Sequence, residues 1–232
     1  MSEIREKTAE IRERMAAAAR LAGRNPEEIL LCAASKMNDA ERVQEAVRAG
    51  VDCCGENRVQ ELLEKLPKGA YTGKPVHFIG HLQTNKVNKV VGTVELIQSV
   101  DREELLRAID KEARKKGIVQ NILLEVNIGG EESKSGYTPA AALETACRMG
   151  EYPGVHLKGL MAIPPVSTFP GENRKYFSEM KQLFVDITGK KLDNVSMVCL
   201  SMGMSDDFED AIAEGSTMVR VGSAIFGARH YQ

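Results

Sequence analysis

The stretch Val195–Gln232, VSMVCLSMGMSDDFEDAIAEGSTMVRVGSAIFGARHYQ, decides how the rest of the 232-residue chain is read. It holds two short apolar runs of strand length, Ser196–Leu200 and Thr217–Val221. Each ends in small residues and opens onto a helix-forming segment, Ser201-Met202-Gly203-Met204-Ser205 after the first and Gly222-Ser223-Ala224 after the second. The start of a helix leaves backbone N–H groups without partners, with the positive end of the dipole behind them. Two such starts side by side make a phosphate cradle that needs no lysine. Arg220 stands between them at the tip of the last strand.

Upstream the same unit repeats. Ile4, Thr8, Ile11, Met15, Ala18 and Ala22 step by three and four, one face of an opening helix that Gly23 stops. Apolar runs follow at Ile29–Ala34, Val51–Cys54, Val76–Ile79, Val94–Val100, Val119–Val126 and Val155–Met161, each leading to a helical segment that a glycine or proline ends or interrupts. Asp101 and Glu104 have the spacing of a capping box, and Thr138-Pro139 reads as another helix start. With the two strands of the final stretch this makes eight strand–helix units after one extra N-terminal helix. The strands are apolar on both faces, as parallel strands covered by helices are. A doubly wound open sheet needs fewer strands and a glycine-rich first turn, whereas Ser35-Lys36 follows the first strand here. The expected fold is therefore α/β, a single (β/α)8 barrel of the triosephosphate-isomerase type, residues 1–232 forming one domain.

Composition narrows the function. A net charge of −2 gives no reason to expect nucleic acid or an anionic membrane, and no apolar run is long enough to cross a bilayer. The N-terminal residues carry charges of both signs, unlike a signal peptide, so a cytoplasmic protein is expected. Five cysteines, four of them in strand-like runs, read as buried free thiols rather than a disulfide framework. No CxxC or helical HxxxH spacing offers a metal site; His77 and His81 straddle a strand and a glycine turn.

In a barrel of this kind the site lies at the C-terminal ends of the strands, with phosphate held after strands seven and eight. The strand ends here supply Lys36, Asn57, His81, Asn127, Met161, Ser201 and Arg220. Lys36 stands opposite the cradle as an amine that can condense with an aldehyde once its charge is suppressed. Phosphate and an aldehyde-accepting lysine on one ring of loops point to pyridoxal phosphate or to a sugar-phosphate aldolase. Plainer roles stand beside these: Ser201 and Ser205 as helix caps, Gly222 as a packing glycine, Arg220 as the ion-pair partner of Asp206 or Asp207, Asn57 and His81 as ordinary loop residues.

The strings LLCAASK, GENRVQEL, HFIGHLQTNK, SKSG, LKGLMAIPP, LSMGMSDDFEDAI and GSTMVRVGSAIFG occur in order over nearly the whole chain. Together they resemble the pyridoxal phosphate homeostasis protein family. The resemblance implies the barrel of alanine racemase without that enzyme's β-rich domain. It implies a Schiff base between Lys36 and pyridoxal 5′-phosphate, phosphate contacts from Ser201 and the amides of Gly222 and Ser223, and Arg220 near the pyridine nitrogen. Asn57 and Met161 fall in motifs that line the cofactor. Asn38 and His81 stand where some members carry a basic residue or proline. The implied role is carrying or buffering the cofactor inside the cell, with apo pyridoxal-phosphate enzymes as partners, a monomeric state and no robust catalysis. The alternative is an amino-acid racemase, which needs a second base; Tyr231 is near the end of the chain but has no expected scaffold. Lys134, in GGEESKSG, is a secondary lysine of interest.

Overall fold

The computed structural model describes residues 2–131 and 133–227. Its strands are β1 Leu30–Ala34, β2 Cys53–Glu56, β3 Val76–Phe78, β4 Leu96–Val100, β5 Gln120–Val126, β6 Val155–Ala162, β7 Val195–Ser201 and β8 Met218–Val221. They pair in sequence order, all parallel, and β8 closes on β1, so the eight strands form a closed barrel. The helices are α1 Glu3–Leu21, α2 Ala40–Arg48, α3 Val59–Lys65, α4 Val87–Val90, α5 Glu103–Lys116, α6 Pro139–Cys147, α7 Arg174–Gly189, α8 Phe208–Ala213 and α9 Ser223–Phe226. After α1, each strand is followed by one helix, the expected alternation.

Side chains alternate across each strand, which divides the core in two. Outward-facing residues such as Leu31, Ala33 and Cys54 join the helices in one continuous apolar layer. Cys32, Cys53, Leu96, Leu123, Met161, Cys199 and Met218 face inward and fill the barrel's axis. Among the described residues no helix is long and apolar enough to cross a membrane. All five cysteines are free, and Cys32, Cys53, Cys54 and Cys199 are buried as expected.

Three expectations shift. The second strand runs through Gly55-Glu56 instead of starting at Val51, because Asp52 turns its carboxylate onto the Leu31 amide at 2.7 Å before the β2–β3 ladder begins at Cys54↔Val76. The capping box at Asp101 and Glu104 does not form. Arg102 is the N-cap of α5, and Asp101 pairs instead with Arg102 at 2.6 Å and with His81 at 3.1 Å. The helix after β7 starts at Phe208, so Ser201 is the last residue of the strand and not a helix cap.

α1 lies across α2, α8 and α9, outside the barrel. Arg14 ties it to Glu209 at 2.6 Å and stacks 4.7 Å from the Phe208 ring. Arg24, at its far end, donates to the carbonyls of Ile212 and Ser216. The extra helix therefore buttresses the units whose strand ends were expected to hold phosphate.

Candidate functional site

The backbone around Lys36 is clamped on both sides. Before it, Ser35 donates from Oγ to Glu56 Oε1 at 2.6 Å and accepts at its carbonyl from Lys65 Nζ at 2.9 Å. After it, the Met37 amide donates to Glu61 at 2.7 Å, and Met37 sits at φ 61°, an uncommon conformation for a side-chain-bearing residue. Lys65 joins these anchors, pairing with Glu56 at 2.8 Å and Glu61 at 3.1 Å. Tyr71 donates its hydroxyl to Glu56 at 2.9 Å; burial, with Glu56 adding, pushes its pKa far above the usual tyrosine value. A buried ion pair of this kind favours one geometry more than it favours stability. Here that geometry is the turn that presents Lys36 to the C-terminal mouth.

Across the mouth, Arg220 is held by its own side chain. Nη1 donates to Ser201 Oγ at 2.6 Å and Nη2 to the Ala162 carbonyl at 2.9 Å. Ser201 Oγ donates to Gln98 Oε1 at 2.7 Å, and Gln98 Nε2 lies 2.9 Å from His77 Nδ1. A line of neutral groups thus runs from the guanidinium down the inside of the barrel. The expected alternative of an ion pair between Arg220 and Asp206 or Asp207 is not realised among the described residues. Asp207 is engaged by Asn173 at 2.9 Å and by the Met204 amide at 2.7 Å. Burial pulls the Arg220 pKa below the ordinary guanidinium value, against neighbours that include Cys32 and Glu125. Glu125 is itself pushed up to about 7, by burial first and by Asp101 second.

The expected cradle lies at the start of α9. Ser205 Oγ lies 3.1 Å from Ser223 Oγ and accepts from the Ala224 amide, bringing the loop after β7 onto the start of α9. Arg42 on α2 donates to the Phe226 carbonyl at the other end. A Cβ on Gly222 would sit 3.3 Å from the Ala34 carbonyl oxygen and 3.4 Å from its Cβ, so the strand-to-helix turn fits closely over β1.

These parts converge. Lys36, Arg220, Gly222 and Ser223 line one cavity of about 190 Å³ together with Ser205, Asn38 and Asp206. The other sequence-derived residues sit differently. Met161 is fully buried in the axial core. Ser201 spends its hydroxyl on Arg220 and Gln98, so it faces the cavity's arginine and does not line the cavity itself. Asn57 lines a separate groove with Arg58 and His81, and its buried Oδ1 has no hydrogen-bond partner. His81 is a partner of Asp101, as a loop residue can be, and Asn127 pins the loop of Lys134 by donating to the carbonyls of Glu131 at 2.8 Å and Lys134 at 3.3 Å. Tyr231 lies outside the described residues.

Sequence reasoning missed Glu56, Lys65, Tyr71 and Gln98. Gln98 left a signal, an amide inside the apolar run LIQSV. Glu56 and Lys65 left none, because their contact depends on how α3 folds back over β2.

The chain matches the alanine racemase N-terminal domain family over residues 7–230. It is 43% identical over 226 residues to the pyridoxal phosphate homeostasis protein of Aquifex aeolicus, covering 97% of this chain and 98% of that one. It is 40% identical over 234 residues to the Escherichia coli K12 protein of the same name, covering 100% of this chain and 99% of that one. PipY of Synechococcus elongatus, solved with PLP bound, superposes with a TM-score of 0.79 at 31% identity, over 94% of this chain and 100% of that one. A closed barrel with this strand order, matched end to end at such identity, belongs to the pyridoxal phosphate homeostasis protein family.

Proposed function

We propose that this chain binds pyridoxal 5′-phosphate at the C-terminal mouth of the barrel and carries or buffers it for cofactor homeostasis in the cytoplasm. The observation that carries the reading is the convergence of Lys36, Arg220, Gly222 and Ser223 on one cavity. The residues fit the group. Gly222 and Ser223 offer backbone amides to its phosphate, with Ser205 beside them. Arg220 and Lys36 bring cationic side chains to a recess whose lining includes one carboxylate, Asp206. Asn57, in the groove it shares with Arg58 and His81, keeps an unsatisfied buried amide oxygen, and Met161 is buried in the axial core. Ser201 acts through Arg220, fixing the guanidinium that would hold the ring side of the group.

When bound, the cofactor supplies an aldehyde that condenses reversibly with a lysine amine. The chain's own part is to present that amine on a rigid turn and to keep a donor-only guanidinium opposite it. Arg220 cannot give up its proton and promotes no protonation of a ring nitrogen, so the site favours holding the cofactor over carbanion chemistry. This supports a binding protein without appreciable catalysis; the proposal extends to a monomer of one domain over residues 1–232 with apo pyridoxal-phosphate enzymes as recipients.

Borohydride reduction of the loaded protein followed by peptide mapping tests the reading. The expected adduct is on Lys36, and Lys36→Ala abolishes it while circular dichroism stays native. A main adduct on Lys86 or Lys134 overturns the site. Rapid deuterium exchange at the α-carbon of an added amino acid, with racemisation, overturns the carrier role in favour of the racemase.

A further inference from the structure

The larger opening of the barrel is at its other end. A cavity of about 520 Å³ is lined by residues at the N-terminal ends of the strands and reaches inward to Cys53, His77, Cys199 and Met218. Nothing in the cofactor reading uses it. Cys32, Cys53 and His77 each place one potential ligand atom within 4.8 Å of the other two. They come from three successive strands and are brought together by register: Cys32 pairs with Cys53, and His77 with Gly55 two residues further along β2. All three face the barrel axis and are at most 4% exposed.

Buried thiols alone are ordinary core residues. An imidazole beside them is not, since packing the axis needs no ring nitrogens. Gln98 Nε2 lies 2.9 Å from Nδ1 and orients the ring; for Nε2 to ligate, the ring proton moves to Nδ1 and the Gln98 amide turns its oxygen to accept it.

We propose that Cys32, Cys53 and His77 form a metal site for a zinc-class divalent ion inside the barrel, reached from the N-terminal mouth. The donor set excludes hard oxygen-seeking ions, because it contains no carboxylate. Two thiolates balance a divalent charge, so the occupied site is neutral and suits an apolar interior. Tetrahedral zinc with bonds of about 2.3 Å to sulfur separates its sulfurs by about 3.8 Å, which falls inside the 4.8 Å limit that holds for all three ligand atoms. The cavity gives the ion its entry path and leaves room for solvent as the fourth ligand. On binding, two S–H bonds break, two metal–sulfur bonds form, and both protons leave to solvent; the imidazole proton moves from Nε2 to Nδ1, so Nε2 gives its lone pair to the metal with no net proton change. The site is independent of the cofactor reading and is tested without it.

The full chain, reduced with a phosphine and freed of metal, is titrated with Co²⁺ as a spectroscopic probe and then with Zn²⁺. The expected result is one Co²⁺ per chain, a thiolate-to-metal charge-transfer band with tetrahedral d–d absorption, and loss of both on adding Zn²⁺. Calorimetry in buffers of different ionisation enthalpy should find about two protons released per Zn²⁺. Cys32→Ser and Cys53→Ser should each weaken binding by about 100-fold or more, while Cys147→Ser, at an exposed position, leaves it unchanged. Absence of the thiolate band in the wild type overturns the proposal whether or not the variants fold. So does a band that survives Cys32→Ser, or one lost in Cys147→Ser.

Discussion

Lys36 and Arg220 face the same cavity from neighbouring strands, β1 and β8, yet the protein holds them by different means. Around Lys36 the grip is on the backbone: Ser35, Met37 and the charged set Glu56, Lys65 and Glu61 fix the turn on either side. For Arg220 the grip is on the guanidinium, by a hydroxyl and a carbonyl, with no ion pair among the described residues. On the proposed reading the difference follows from what each would do. An amine that forms and releases a covalent bond needs a fixed base and a side chain able to change partners. A guanidinium that only orients a ring needs the reverse, and neutral acceptors leave its charge uncancelled toward the cavity.

Removing the charged clamp is the strongest way to break this contrast. Glu56→Ala leaves Lys65 buried with the Ser35 carbonyl and one paired carboxylate, Glu61, and should cost about 3 kcal/mol of stability, the low end for a broken buried pair. Urea unfolding measures that loss, and the yield of reduced adduct on Lys36 should fall with it. Unchanged stability would mean the clamp is ornamental.

Glu125 sharpens the other side. Its folded pKa, near 7, lies above the unfolded value of about 4.3, so the folded state binds the extra proton between those values. Stability therefore falls as pH rises through that window and levels off above about 7. Glu125→Gln should raise stability by roughly 3 kcal/mol at pH 8 and change little at pH 4, read from urea midpoints at the two pH values. A gain of equal size at both pH values would place the benefit in packing, not in the carboxylate's charge.

Ser201→Ala is the corresponding test of the neutral grip. It strands one Arg220 N–H and the Gln98 carbonyl, and should cost about 1–2 kcal/mol with a parallel loss of cofactor retention. The smallest stability effect belongs to Ser205→Ala, about 0.5–1 kcal/mol as for a lost cap. Gly222→Val should weaken cofactor retention more than Ser205→Ala, since its side chain crowds Ala34 and the cavity together. Equal retention in these two variants would remove the cradle from the site.

The barrel was legible because its strands announce themselves twice, by apolar faces on both sides and by the glycine or proline that ends or interrupts the helix after each. Lys36, Gly222, Ser223 and Arg220 were legible for a related reason: strand ends can be read from that pattern, and strand ends are where barrel sites lie. The mutual support of those residues was not. Glu56 with Lys65, or Ser201 with Gln98, meet only through helix docking or across the barrel axis, and no local spacing encodes either. The same holds for Cys32, Cys53 and His77, which no linear metal motif connects. Asp101 shows the opposite failure, a local signal overruled when a tertiary partner, His81, competes for the carboxylate.

The line from Arg220 through Ser201 and Gln98 to His77 also has a direction. Arginine can only donate, so Ser201 must use its one proton on Gln98 Oε1, which turns the amide's NH₂ toward His77. The imidazole nitrogen it meets, Nδ1, must then carry the lone pair, and the ring proton is left on Nε2. The tautomer of a histidine deep in the axis is thereby dictated from the opposite mouth. His77 becomes an internal reporter of Arg220: its ¹⁵N shifts distinguish the two tautomers, and replacing the arginine with a side chain that accepts hydrogen bonds frees every proton below it to reverse.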